Sequence, residues 1–202
     1  DVYIARLQWL PAGGKVSVIR LNRLQNKLDI FHGDAITGET ELIYTEKSKT
    51  YIDIDQVDDL TYLADSKSFI VSSERSGFKH LYQYTISGDL IHQITNGDWV
   101  VDNFLGIDER GNKLYFTSTE VSSIERHLYV TDIKGKHRKK LTLEAGTHYV
   151  NFSHDFKYYV DSYSSFEFPT KTELHQAKGK LIKVLAENSA YQKQTEEYGC
   201  AK

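Results

Sequence analysis

Cysteine, methionine, proline and long apolar runs are scarce or absent in this 202-residue chain. The one cysteine, Cys200, cannot form an internal disulfide, and its polar surroundings make it a poor candidate for a catalytic nucleophile. No apolar run approaches the roughly 18–20 residues that a membrane-spanning helix needs, so we expect no membrane span. Methionine is missing even at position 1, which indicates a segment excised or processed from a longer protein.

The chain has no large excess of either positive or negative charge. Its formal net charge is −3, and acidic and basic residues are mixed along the sequence. We therefore expect neither nucleic acid nor an anionic membrane as a partner. The densest basic run, residues 134–140, contains a hairpin glycine and no interleaved aromatic residue, so we interpret it as a solvated turn. The chain is 40% hydrophobic, which is enough to bury a core, and its 14 tyrosines and few helix-type runs favour β-structure.

Three short motifs recur at one fixed interval of 47 positions, namely His80-Leu81-Tyr82 as His127-Leu128-Tyr129, Gly88 as Gly135, and Ile94-Thr95 as Leu141-Thr142. Each copy contains four short β-type runs separated by turn residues, and a looser copy lies on either side. A period of about 40–50 residues with four strands per unit is typical of a β-propeller. In that fold each sheet packs its two faces against the neighbouring sheets, because a single sheet cannot bury both faces alone. The glycines serve the hairpin turns, where a positive φ costs them little.

The repeat predicts an all-β fold with about four four-stranded antiparallel blades at residues 1–50, 51–97, 98–145 and 146–190, followed by a polar tail at 191–202. An ordinary β-sandwich is the alternative, since its turn signals also recur every 8–12 residues or so. A sandwich does not, however, predict a constant register among the three motifs. Propellers have about 4–8 blades, so four units fit either the smallest closed ring or half of a larger one.

Seven segments match one known pattern in order: QWL (8–10), RLNRLQNKLDIF (20–31), SSERSGFKHLY (72–82), ITNGDWVV (94–101), YFTSTEVSSIERHLY (115–129), VNFSHDFKYYV (150–160) and VLAENSA (184–190). Together they resemble the propeller of the dipeptidyl peptidase IV branch of the prolyl oligopeptidase family over nearly the whole chain. Family propellers have eight blades and accompany a C-terminal α/β-hydrolase domain. The resemblance therefore implies the second half of such a propeller, with the hydrolase domain beginning shortly after Lys202.

The resemblance also implies a parent enzyme that removes X-Pro or X-Ala dipeptides from peptide N-termini with a Ser-His-Asp triad. The nucleophile of that triad lies in a G-x-S-x-G turn, a motif that this chain lacks. We therefore expect an inactive part that gates and shapes the substrate cavity, in a protein that is secreted, periplasmic or associated with the cell envelope. Its expected partners are the peptide substrate, the hydrolase domain and the first half of the propeller.

The resemblance places residues 51–59, YIDIDQVDD, at a loop and strand edge near the central cavity. Some family members contact substrate there through an aromatic residue and an arginine, but this segment has no arginine, so that contact is not transferred. Its dense negative charge suits a cationic group of the substrate, and a solvated turn is the alternative interpretation. The candidate cavity residues are Asp53, Asp55, Asp58 and Asp59. The pair Glu196-Glu197 in the tail does not correspond to the glutamates that recognise the amine, because in the family these lie in the first half of the propeller.

We expect no metal ion and no cofactor. Four histidines fall between positions 127 and 154, but a zinc site needs three or four converging ligands, and His80 and His127 occupy equivalent repeat positions, as structural residues do. Two other functions remain open, a free-standing binding propeller and a carbohydrate-active propeller, although the sequence offers no convincing carboxylate pair for the latter. Four blades cut from a larger ring leave two apolar faces uncovered, so we expect an open arc that self-associates.

Overall fold

The computed structural model describes residues 1–54 and 59–198, except for the side chains of residues 195–198. These residues divide at Gly97 and Asp98 into two compact units, and each unit contains two four-stranded antiparallel sheets. In every sheet the strands follow one another in sequence order. The chain is therefore an all-β propeller fragment with four blade-like sheets, as the repeat predicts.

The first unit contains sheets 1 and 2. Sheet 1 consists of β1 (Val2–Trp9), β2 (Lys15–Asn22), β3 (Lys27–Asp34) and β4 (Thr40–Lys47). Sheet 2 consists of β5 (Thr61–Tyr62), β6 (Ser68–Ser73), β7 (His80–Thr85) and β8 (Leu90–Gln93). Side chains from both sheets form one buried apolar cluster, in which the rings of Phe69 and Tyr84 stack with their centroids 5.6 Å apart.

The second unit contains sheets 3 and 4 and a C-terminal helix. Sheet 3 consists of β9 (Val101–Asp108), β10 (Lys113–Ser118), β11 (His127–Thr131) and β12 (Lys139–Lys140). Sheet 4 consists of β13 (Thr147–Phe152), β14 (Tyr158–Ser164), β15 (Lys171–Gln176) and β16 (Leu181–Glu187), and helix α1 spans Ser189–Tyr198. In the part of the chain that the structure describes, no helix combines the length and the apolar character that crossing a membrane requires.

The core of the second unit lies between its two sheets. Tyr115 and Leu128 of sheet 3 pack with Tyr159 of sheet 4, and Leu141 joins them from the connector after β12. Aromatic rings fill much of this space. The ring centroids of Tyr115 and Phe152, for example, lie 4.4 Å apart. Apolar residues from two sheets thus make a core that neither sheet forms alone.

The recurring His-Leu-Tyr motif corresponds to a repeated set of hydrogen bonds. In sheet 2, His80 Nδ1 lies 3.1 Å from Thr95 Oγ1, and the Leu81 N–H donates to the same oxygen at 3.0 Å. In sheet 3 the corresponding distances, from His127 Nδ1 and the Leu128 N–H to Thr142 Oγ1, are 3.0 and 3.1 Å. The threonine hydroxyl accepts from the leucine amide and donates to the imidazole, so the third strand is tied to the end of the fourth.

Burial lowers the pKa of His127 and favours its neutral ring. Its Nδ1 then accepts from the Thr142 hydroxyl, while Nε2–H donates to Glu125 Oε2 at 2.8 Å. The side chain is 1% exposed, and every polar atom of the ring has a partner within the protein. This histidine therefore has a structural role. It shares the threonine contact at Nδ1 with His80, whereas His80 Nε2 bonds the Gly97 carbonyl at 2.9 Å.

The basic run 134–140 lies in and beside the hairpin between β11 and β12. Gly135 takes the turn at φ +73°, and the Asp132 side chain accepts hydrogen bonds from the Lys134 and Lys136 amides. Only Lys139 and Lys140 pair as strand residues. Most of the run is therefore a turn, in which the Asp132 carboxylate accepts hydrogen bonds from the backbone amides.

Candidate functional site

The candidate aspartates lie in the connector between sheets 1 and 2, residues 48–60, which joins β4 to β5. Asp55 and Asp58 fall outside the described residues. Asp53 and Asp59 are both half-buried, one in each described arm of the connector. The described part of this region therefore consists of two arms of the connector, residues 48–54 and 59–60. The loop between β6 and β7, residues 74–79, lies beside them.

The first arm of the connector is fixed to sheet 1. The Ser48 N–H donates to the Asn26 carbonyl at 2.8 Å, and the Ile52 N–H donates to the Gln25 carbonyl at 2.7 Å. The Ile52 side chain is buried in the core of the first unit. Backbone bonds and apolar burial together set the path of the chain as far as Ile52.

The second arm is fixed by an ion pair. Lys79 Nζ, at the end of the β6–β7 loop, lies 2.7 Å from Asp59 Oδ2, and the side chains are 7% and 20% exposed. A lysine so deeply buried is rare without a charged partner, because desolvating the ammonium group is costly. Asp59 therefore has a counter-ion within the protein. Its role as a substrate contact stays a prediction.

Arg75, in the same loop, is a residue that the sequence reasoning missed. Its Nε donates to Ser73 Oγ at 2.9 Å, its Nη1 to the Tyr84 hydroxyl, and its Nη2 to the Tyr44 hydroxyl. Nη2 also lies 3.4 Å from Glu46 Oε2, which accepts from the Tyr44 hydroxyl at 2.5 Å. The arginine thereby connects β4 of sheet 1 with both long strands of sheet 2.

The phenols around Arg75 stay protonated at any ordinary pH. Burial raises the pKa of Tyr44 far above its usual value, and the carboxylate of Glu46 adds to this effect. Burial likewise raises the pKa of Tyr84. The guanidinium group thus faces neutral hydroxyls and one carboxylate, and each of its nitrogens already has a partner. The network can hold a shape, but it offers no nucleophile and no free base.

A cavity of about 310 Å³ opens where the first arm meets this loop. Its lining includes Tyr51 and Ile52 from the connector and Glu74 and Arg75 from the loop. Arg75 lies in SSERSGFKHLY (72–82), one of the segments that carry the resemblance, but its residue type alone gives it no role there. Residues 51–59 contain no arginine, yet the fold brings Arg75 to the same cavity as Tyr51, the first residue of that segment.

The three buried or half-buried histidines of the second unit each bond a carboxylate, and the rings of two of them, His127 and His148, also lie 5.1 Å apart between centroids. His148 Nδ1 lies 2.8 Å from Asp161 Oδ2 and His175 Nε2 lies 3.0 Å from Glu173 Oε2, whereas His137 and His154 are exposed in hairpins. Among the side chains that the structure describes, those of residues 1–54 and 59–194, no three His, Cys, Asp or Glu are grouped in a way that could hold a metal ion.

Comparison with known proteins gives consistent matches along this chain. The sequence model of the dipeptidyl peptidase IV (DPP IV) N-terminal region matches residues 1–170. The probable dipeptidyl peptidase 4 of Arthroderma benhamiae is 30% identical over 98% of this chain, which is 26% of the relative. The dipeptidyl peptidase 4 of Trichophyton rubrum gives the same three values.

A solved structure shows the same similarity in three dimensions. The crystal structure of Porphyromonas gingivalis dipeptidyl peptidase 4 superposes with a TM-score of 0.90 at 33% identity, over 97% of this chain and 28% of that one. The chain spans about a quarter of the length of these relatives. Because the family match covers most of the 202 residues, the chain belongs to the family of the dipeptidyl peptidase IV N-terminal region.

Proposed function

We propose that this chain is the non-catalytic propeller part of a serine dipeptidyl peptidase that removes X-Pro or X-Ala dipeptides from peptide N-termini. The observation that carries the proposal is the match of 98% of the chain to about a quarter of proteins named dipeptidyl peptidase 4. In that setting the propeller gates and shapes the cavity above a triad that lies elsewhere in the protein. The same resemblance motivates a secreted, periplasmic or envelope-associated location.

The chemistry of the described residues supports a non-catalytic role. The sequence contains no G-x-S-x-G turn. The His148–Asp161 pair could suggest part of a triad, but both side chains are almost fully buried. His148 Nε2 faces the Glu144 carbonyl at 3.0 Å, so neither ring nitrogen is free to take a proton from a nucleophile.

One end of the second unit has the character of a docking surface. In an antiparallel four-stranded sheet, the loop between the second and third strands lies at the same end as the exit of the fourth strand. In sheets 3 and 4 this end carries four exposed apolar side chains, Val121, Ile124, Leu143 and Phe166. The hairpins at the opposite end carry glycines and charged residues instead. We propose that the apolar end faces the hydrolase domain of the parent protein.

Sheet 1 presents an apolar face that its own unit leaves uncovered. Leu7, Val18, Phe31 and Leu42 are direct cross-strand partners, so they form one row across all four strands. Leu7 and Leu42 are exposed, as is Trp9 in the same strand as Leu7. We propose that the first half of the propeller covers this face in the parent protein, and that a second copy covers it when the chain is alone.

The proposal is tested by comparing the whole protein with chain 1–202 on dipeptidyl p-nitroanilides of the Gly-Pro and Ala-Ala type. We expect the whole protein to release p-nitroaniline and the chain alone to release none. A serine-to-alanine change in the G-x-S-x-G turn of the parent should lower kcat about 10³-fold or more. A full reading frame without that motif, or an inert whole protein, would instead indicate a free-standing binding propeller.

A further inference from the structure

We infer that Asn96, which precedes Gly97, is a site of deamidation, and that its isoaspartate product breaks the contacts of the buried His80 in sheet 2. The sequence contains one Asn-Gly pair, and it lies in the segment that follows β8, at the end of the first unit. The reaction needs only the chain itself and water. The inference therefore goes beyond the proposed function and does not depend on peptidase activity.

The two groups that react are accessible. Asn96 and Gly97 are both exposed. Within the described part of the chain, neither the Asn96 side-chain amide nor the Gly97 N–H has a hydrogen-bond partner. Gly97 has a φ of +134°, which glycine adopts readily, and it has no side chain to shield its nitrogen. No hydrogen bond therefore has to break before the two groups react.

Deamidation at this pair proceeds through a cyclic imide. The Gly97 nitrogen bonds to the side-chain carbonyl carbon of Asn96, and the amide group leaves as ammonia with the proton that the Gly97 nitrogen gives up. Water then opens the ring. Cleavage of the new bond gives aspartate, whereas cleavage at the original backbone carbonyl gives isoaspartate, whose main chain runs through Cβ and is longer by one carbon.

Asn96 lies between two residues that bind the same buried histidine. His80 Nδ1 lies 3.1 Å from Thr95 Oγ1, and His80 Nε2 lies 2.9 Å from the Gly97 carbonyl oxygen. The carbonyl accepts from Nε2–H, so Nδ1 accepts from the threonine hydroxyl. His80 is 1% exposed and its ring is rigid. An added main-chain carbon between Thr95 and Gly97 moves the two partners apart, so the ring cannot keep both bonds at hydrogen-bond geometry.

Sheet 3 contains the same histidine–threonine bond without the reactive pair. Leu143 and Glu144 occupy the positions that correspond to Asn96 and Gly97. His127 Nε2 bonds the Glu125 carboxylate rather than a backbone carbonyl. Sheet 3 is therefore an internal control for any effect of deamidation on sheet 2.

Peptide mapping of the whole protein by mass spectrometry, after incubation in mildly alkaline buffer, tests the modification. Two other asparagines are matched controls. Asn151 is exposed but precedes a phenylalanine in β13, and Asn188 precedes a serine but donates to a backbone carbonyl at 2.7 Å. We expect Asn96 to deamidate about tenfold faster than either one, and N96Q to give no product at this position. A rate at Asn96 no faster than at the two controls would overturn the inference.

Amide hydrogen exchange tests the effect on His80. In the isoaspartate form, separated by chromatography, the Leu81 amide that donates to Thr95 Oγ1 should exchange about tenfold faster. N96D adds the same charge without lengthening the main chain, so its Leu81 amide should exchange as in the unmodified protein. The Leu128 amide of sheet 3 should exchange equally in all three forms. Exchange at Leu81 that is unchanged in the isoaspartate form, or raised equally in N96D, would overturn the link to His80.

Discussion

Gly88→Ala is expected to destabilise the chain by about 2–5 kcal/mol, the sum of backbone strain and a steric clash. Gly88 has a φ of +94°, which a side chain disfavours. A Cβ at this position would lie 1.8 Å from the Ile43 carbonyl oxygen of the neighbouring sheet. Because that oxygen belongs to the backbone of β4, the clash can be relieved only by moving the two sheets apart.

Gly77→Ala is the matched control for this prediction. Gly77 has a similar φ of +98°, but a Cβ there would meet nothing within 4 Å. Its replacement should cost only the backbone strain, about 1–2 kcal/mol. Urea unfolding of both variants measures the difference, and equal losses would show that the sheets do not approach at Gly88 as the structure indicates.

His148→Leu is expected to cost about 3–5 kcal/mol of unfolding free energy, because it leaves a carboxylate buried without its partner. The His148 and Asp161 side chains are 1% and 3% exposed. Asp161 Oδ1 has no hydrogen-bond partner among the residues that the structure describes, so the bond between His148 Nδ1 and Asp161 Oδ2 is the contact that supports this buried carboxyl group. A loss of this size is a large share of the roughly 5–15 kcal/mol that stabilises a typical domain.

Two further variants test whether the buried charge is the cause. His148→Leu combined with Asp161→Leu should recover most of the lost stability, since apolar side chains can replace a buried hydrogen-bonded pair. Lys157→Met breaks the exposed Lys157–Asp155 pair and should leave the unfolding midpoint unchanged. If His148→Leu behaved like Lys157→Met, the pair would not be the buried contact described here.

The repeat made much of the fold predictable from sequence. The fixed spacing of His80, Leu81 and Thr95 reflects bonds within one sheet, and the same bonds recur at the corresponding positions of sheet 3. The glycine of the repeat was predicted as a turn residue, and the positive φ of Gly88 confirms that interpretation. The close approach of Ile43 to Gly88 was not predictable, because it depends on how two sheets pack.

The candidate site was much less predictable. Arg75 and Tyr44 are 31 positions apart and Lys79 and Asp59 are 20 apart, so neither contact follows from a local pattern. The aspartates of residues 51–59 were recognisable as a charged cluster, but sequence alone could not show that Asp59 faces a buried lysine. The two-residue strands β5 and β12 are also too short for alternation to reveal them.

We propose that this chain is part of a larger propeller, and that a partner covers the open face of sheet 1. The molar mass of chain 1–202 by light scattering at high concentration tests it most directly, beside a variant with Leu7→Lys and Trp9→Lys, two exposed positions. We expect the chain to self-associate well above its monomer mass of 23.2 kDa and the variant to approach that value. A chain that stays at 23.2 kDa, with the same mass in the variant, would show that the open face needs no partner.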